Sequence, residues 1–327
     1  MRQRAFLGMV IASMLAAACG SGGSSGTGGE GATAAGGTGG ATTSSSTTAS
    51  GTGGATTSSS TTASGTGGSA TTSSSSSSSS SGGTTTDHLV ISEIGVQPAN
   101  GEFIEIYNPT AAAVDLSKYY LSDNATYHGI AAGMPWNPTT SNPGTDFLAQ
   151  FPAGTMLAPG AAIVIATDPT FEAHFNKCPD FILGATPVTC ANGTAAAMIA
   201  PTNGGLGTNA GTLLSNDREM VILFTWDGTS STLKDVDYVT WGATFDDATR
   251  VDKTGIAGYQ ADTPRASQKS ATAPGMFQSI ERCTFDASEK PSGGNGITGQ
   301  DVTSEALDTA FVVQATPTPG AKNACLP

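Results

Sequence analysis

Residues 20–86 are built almost wholly of Gly, Ser, Thr and Ala, with Glu30 their one charge. This tract constrains the fold more than any motif, because it lacks the bulky side chains needed to offset the entropy of ordering. Residues 40–53 recur at 54–67, and serines fill 73–81. The repeat has no apolar face to stack, so it predicts no solenoid. The expectation is a disordered linker over residues 19–86, spanning about 45 Å as a Gly/Ser coil. Folded structure is then expected in one domain over residues 87–327, long enough for a real core.

The first residues read as an export signal. Arg2 and Arg4 precede an apolar stretch, residues 5–18, broken only by Ser13. That stretch is too short to span a bilayer comfortably and reads as a signal peptide over residues 1–18. Leu15-Ala16-Ala17-Ala18-Cys19 resembles a bacterial lipobox, whose cysteine receives lipid, although Ala16 stands where the motif prefers Leu. Ala16-Ala17-Ala18 also fits an ordinary Ala-x-Ala cleavage site. Both readings cut before Cys19 and differ in whether it is acylated. The chain has 5 cysteines. Using Cys19 as the lipid carrier leaves Cys178, Cys190, Cys283 and Cys325, an even set for an oxidising compartment. No later stretch is apolar enough to cross a membrane.

The head reads as all-β. Residues 89–96, 102–108, 161–166, 220–226, 233–241 and 311–314 are rich in β-branched and aromatic residues at strand length. Asp227-Gly228 marks a hairpin turn between two of them. Val236, Tyr238 and Thr240 are expected opposite Leu233, Val239 and Trp241. Residues 102–123 read as two short strands with a tight connection at Asn108-Pro109. Residues 170–177 suggest one short helix, with Phe171 and Phe175 a turn apart.

These runs resemble a lamin-tail domain, an immunoglobulin-like β-sandwich. Glu102-Phe103-Ile104-Glu105-Ile106-Tyr107-Asn108-Pro109 is similar to its opening, and Leu89-Val90-Ile91-Ser92-Glu93-Ile94 to its first strand. The loop at 151–160 with the run 161–166, the polar turn Ser215-Asn216-Asp217, Asp237-Tyr238-Val239-Thr240-Trp241-Gly242, Ser279-Ile280-Glu281-Arg282 and the segment 316–323 follow in the family's order. The head is roughly twice the usual length. Long loop insertions fall near 132–150, 170–209 and 245–276, where functions peculiar to this chain are expected. The resemblance implies a domain that binds or scaffolds and carries no fixed catalytic apparatus.

Chemistry-bearing motifs are few. Chain order suggests disulfides Cys178–Cys190 and Cys283–Cys325, out of three formal connectivities. His88, His128 and His174 are expected on loops without a role. There is no Gly-x-Ser-x-Gly elbow and no His-Glu-x-x-His. Glu93, Glu102 and Glu105 are expected on the solvent-facing half of their strands. Asp235 and Asp237, read as sharing a strand face, with Asp246, Asp247 and Asp252 beyond, form a weak calcium candidate without an Asp-x-Asp-x-Asp-Gly loop. No other cofactor is expected. Removing Arg2 and Arg4 with the leader takes the formal charge from −13 to −15. With no cluster of Lys and Arg, nucleic acid is not an expected partner.

Two function classes follow. One is a non-catalytic, lipid-anchored cell-envelope protein that presents a binding or scaffolding head to a surface protein or glycan, with the membrane engaged through Cys19. The other is an extracellular hydrolase, or an accessory subunit of one, with chemistry in the insertions. Acylation is directly testable. The wild-type protein is expected to enter the detergent phase and to label with a fatty-acid probe, and Cys19→Ser to do neither. Equal partitioning of the two proteins would contradict acylation.

Overall fold

The computed structural model describes residues 86–134, 144–208, 210–242 and 250–327. Their strands are β1 (Val90–Gly95), β2 (Phe103–Tyr107), β3 (Val114–Asp115), β4 (Tyr119–Ser122), β5 (Leu148–Gln150), β6 (Met156–Leu157), β7 (Ala162–Ala166), β8 (Phe181–Ile182), β9 (Val188–Cys190), β10 (Gly193–Ala197), β11 (Arg218–Thr225), β12 (Lys234–Gly242), β13 (Ser279–Arg282) and β14 (Phe311–Gln314). Helix among these residues is limited to short turns, including α1 (Phe171–Phe175) and α2 (Leu307–Ala310).

Two sheets face each other. The larger has eight strands in the order β14-β13-β1-β2-β7-β8-β10-β9, and the smaller has four, β12-β11-β4-β5. The period-two alternation of strands sends Ile94, Ile104, Ile106, Ile165 and Ile280 from one sheet against Leu121, Val221, Leu223, Val239 and Trp241 from the other. The expected tight pairing within residues 102–123 is corrected, because β2 and β4 lie in different sheets. Asn108 holds the crossover. Its buried amide donates to the carbonyls of Ala112 and Leu157, both at 2.9 Å, and its Oδ1 accepts from the Thr110 N–H at 3.0 Å.

The insertions cover faces that a bare sandwich would expose. In the second, β8 pairs in parallel with both β7 and β10. There α1 lays Phe171 and Phe175 edge-on against Phe103, at 5.9 and 5.6 Å between centroids. A disulfide joins Cys178 to Cys190 within this insertion, and another joins Cys283 to Cys325 at the chain's end. The described part of the third insertion packs Val251 and Tyr259 on Tyr120, Ile222, Phe224 and Tyr238, the outer face of the smaller sheet.

A buried ion pair joins the sheets where one ladder stops. β13 pairs with β1 only from Glu93 to Gly95, which leaves the Ile91 peptide without a strand neighbour on that side. Side chains take the neighbour's place. The Ile91 N–H donates to Asp237 Oδ2 at 2.6 Å, and the Ile91 carbonyl accepts from Arg282 Nε at 3.0 Å. Arg282 also donates to both Asp237 oxygens at 2.9 Å and to Glu305 at 2.5 Å. Asp237 reaches inward by regular alternation with Val239 and Trp241, and just before it the β11–β12 register slips at Val236, which has no opposite residue. The bulge overturns the expected alternation. Val236 faces the inter-sheet core with Val239 and Trp241, while Leu233 joins Tyr238 on the outer side.

Breaking such a pair strands its partners in a low-dielectric interior. Arg282→Met is therefore expected to cost roughly 3–5 kcal/mol by leaving Asp237 and Glu305 unpaired. Lys269→Ala, which removes an exposed pair with Asp308 at 3.9 Å, should cost about 0–1 kcal/mol. Denaturant midpoints measure both, and equal losses would contradict the assignment.

Candidate functional site

The first cluster of ionisable groups is a row of glutamates. Strand register puts Glu93 opposite both Glu281 and Glu105 on adjacent strands. They share the outer face of the larger sheet with Phe103 and Tyr107 and are buried, as is Glu102. This corrects the expected solvent-facing placement of Glu93, Glu102 and Glu105. The C-terminal segment lies over the row. Thr318 N–H donates to Glu93 at 2.9 Å, Gly320 N–H to Glu105 at 2.5 Å, and Ser92 Oγ to Glu105 at 2.6 Å. Gly320 is required there: its φ is 76°, and a Cβ would collide with the Lys177 side chain.

Burial, reinforced by the neighbouring carboxyls, pushes Glu93 up to about 7 against its hydrogen bonds. Burial likewise raises Glu105 to about 7, opposed by Ser92, Gly320 and Lys177. Glu102 also rises to about 7 by burial, although Thr167 Oγ1 and the Leu213 and Leu214 N–H groups bind it. Glu102 lies at the edge of a cleft of about 330 Å³ lined by Gln97, Pro98, Thr212, Asn216 and Met276.

The second cluster lies under the third insertion. The Lys253 ammonium donates to Tyr127 Oη and Asp235 Oδ2, both at 2.9 Å, and sits 3.1 Å from Asp262 Oδ2. Tyr127 donates to the other Asp235 oxygen. Burial lowers the Lys253 pKa, but Asp235 and Asp262 outweigh it and hold the ammonium above its ordinary value. Beside this network opens a cleft of about 310 Å³, lined by Thr126, His128, Met134, Ile256, Ala257 and Tyr259. Burial, then the Lys253 charge, pushes His128 down to about 4, so its imidazole is neutral at physiological pH. Its Nδ1 is buried and has no hydrogen-bond partner. The cleft thus offers an aromatic and apolar wall with one neutral ring nitrogen. The described cysteines are all in disulfides, and among the described residues no serine hydroxyl is hydrogen-bonded to a histidine.

The calcium candidates do not converge. The Val236 bulge turns Asp235 toward Lys253 and Asp237 toward Arg282, on opposite faces of β12. Asp252 accepts the Thr254 N–H at 3.0 Å. Asp246 and Asp247 lie outside the described residues, as does Cys19. His88, expected on the surface, is 4% exposed and sits with Asp286 and Glu289 in the one such group among the described residues able to hold a metal ion. Sequence reasoning missed this trio, whose members are far apart in the chain.

The glutamate row gives the fold a pH dependence of definite sign. In the folded state these carboxyls keep their protons to about 7, whereas the ordinary value is 4.5. The folded state therefore binds more protons between those values, so its stability falls as pH rises through that window. His128, lowered from 6.5 to about 4, opposes these carboxyls below 6.5 as one group against three, and Asp115, Asp227, Asp252 and Asp301 are lowered and act only below the window. Thermal unfolding is expected to show a loss on the order of a few kcal/mol between about pH 5 and pH 8. Glu93→Gln should flatten that slope. A Tm that rises across the window would contradict the buried row.

Residues 83–243 match the family model described as Lamin Tail Domain. No curated protein matches the chain. Among solved structures it is similar to a DUF4876 family protein from Bacteroides thetaiotaomicron VPI-5482, at 16% identity and a TM-score of 0.36 over 72% of each chain. That likeness is too loose to bear on the site. The strand pairs β1–β2, β2–β7 and β11–β12 fall inside the matched span, and β13 and β14 extend the same sheet beyond it. The chain carries a lamin tail domain over residues 83–243, an immunoglobulin-like β-sandwich.

Proposed function

We propose that the protein is a non-catalytic binding and scaffolding module of the bacterial cell envelope, anchored through lipid on Cys19. Its head is held away from the membrane by the Gly/Ser/Thr-rich tether and takes a surface protein or glycan in the cleft beside His128 and Tyr259. The observation that carries this reading is the use made of the head's buried charges. Lys253, Asp235 and Asp262 hold one another, Arg282 holds Asp237 and Glu305, and backbone amides hold Glu93 and Glu105. Such pairing fixes a scaffold and leaves recognition to an apolar, aromatic surface. That surface is formed by the third insertion and the turn Tyr127–Ala132, outside the main ladders.

Ala257 is exposed on the cleft wall, so an arginine there blocks the cleft without entering the core. On glycan and surface-protein arrays, the full-length protein is expected to bind a defined class of ligand. Ala257→Arg should lower that binding more than about 10-fold, equivalent to about 1.4 kcal/mol, with an unchanged Tm. Equal binding by the variant would remove the cleft from the reading. Turnover of phosphoester or glycoside substrates by the wild type would overturn the non-catalytic assignment.

A further inference from the structure

His88 stands just before β1, and Asp286 and Glu289 stand in the loop after β13. Their nearest donor atoms all lie within 4.8 Å of one another. The loop draws its two carboxyls together through a hydrogen bond from the Glu289 N–H to the Asp286 carbonyl at 3.1 Å. His88 Nε2 lies 3.5 Å from Asp286 Oδ1, yet it is buried and has no hydrogen-bond partner. Glu289 Oε1 is likewise buried and without a partner. Unpartnered buried polar atoms are costly, and here two of them belong to one cluster. The other ring nitrogen is occupied. His88 Nδ1 lies 3.1 Å from Asp87 Oδ1 and 3.0 Å from Thr86 Oγ1. A carboxylate on Nδ1 favours the tautomer with its proton there and leaves the Nε2 lone pair facing the acids, the arrangement that orients metal-binding histidines.

We propose that His88 Nε2, Asp286 and Glu289 form a binding site for a divalent cation of the zinc class. Imidazole with two carboxylates suits such an ion, which takes these donors at about 2.0–2.2 Å in a tetrahedral shell. Calcium prefers six to eight oxygens, roughly twice what this trio supplies. Asp286, whose side chain is 33% exposed, gives the cluster its access to solvent. The surrounding charge also calls for a cation. Asp237 and Glu305 act on Glu289 from behind, with Arg282 the opposing guanidinium.

Calorimetry with ZnCl2 on chelator-treated full-length protein tests the site. One equivalent is expected to bind, and Tm should rise by several degrees. Glu289→Gln keeps the side chain's volume and removes the ligand charge. It should fold, and it should lose more than about 10-fold in zinc affinity, the least that loss of even an outer partner produces. His88→Gln should do the same, and its metal-free Tm separates a folding defect from a lost ligand. Absence of zinc binding, equal binding by wild type and Glu289→Gln, or a Tm response to CaCl2 without one to ZnCl2 would each overturn the proposal.

Discussion

The sandwich depends on what happens at Ile91, where a strand loses its neighbour and two side chains take its place. A buried peptide group without a partner is among the costlier faults a fold can carry. Asp237 accepts the Ile91 N–H and Arg282 donates to its carbonyl. Because Asp237 comes from the smaller sheet and Arg282 from the larger, the same contacts that repair the ladder fix one sheet against the other. The arrangement is flanked by two irregularities. One is the slip between Ile91 and Glu93 in the β1–β2 pairing, and the other is the extra residue at Val236. Without the second, Asp235 would share the inward face of Asp237 and leave Lys253.

The enlarged outer layers follow a single logic. An uncovered antiparallel sheet leaves its outer face to water, where glutamates at alternate positions carry no penalty. Here α1 and the C-terminal segment cover one sheet, and the third insertion covers the other. Covering the face turns ordinary acids into buried ones, and each then needs a donor. Thr318 and Gly320 supply backbone N–H groups, and the Cys283–Cys325 bond keeps the segment that carries them in place. Burial and capping are thus two sides of one addition to the fold.

Much of this architecture is legible in the chain. Strand positions follow from β-branched runs, and β14 falls on the expected residues. The helical turn at α1 follows from two phenylalanines spaced by four. What the sequence conceals is depth. Alternation predicts which residues share a face, and it says nothing of whether a segment distant in the chain will cover that face. Glu93, Glu105 and His88 are misjudged for that reason. The Asp235–Asp237 expectation fails for a different one, since no local signal marks Val236 as a bulge. The His88, Asp286 and Glu289 group is hidden by separation along the chain, because β1 and β13 become neighbours only in the finished sheet.

The position of β1 has a mechanical consequence. The chain enters the head at Thr86 and passes straight into a strand flanked by β13 on one side and β2 on the other. A pull on the preceding residues therefore loads a central strand along its own axis. Its hydrogen bonds to both neighbours must then yield together in shear, where an edge strand would unzip one bond at a time. The disulfide at Cys325 and the bond from Asn323 to the Ser92 carbonyl fasten the opposite end of the chain to the same region. Load arriving at the first strand is thereby shared with the last residues of the chain.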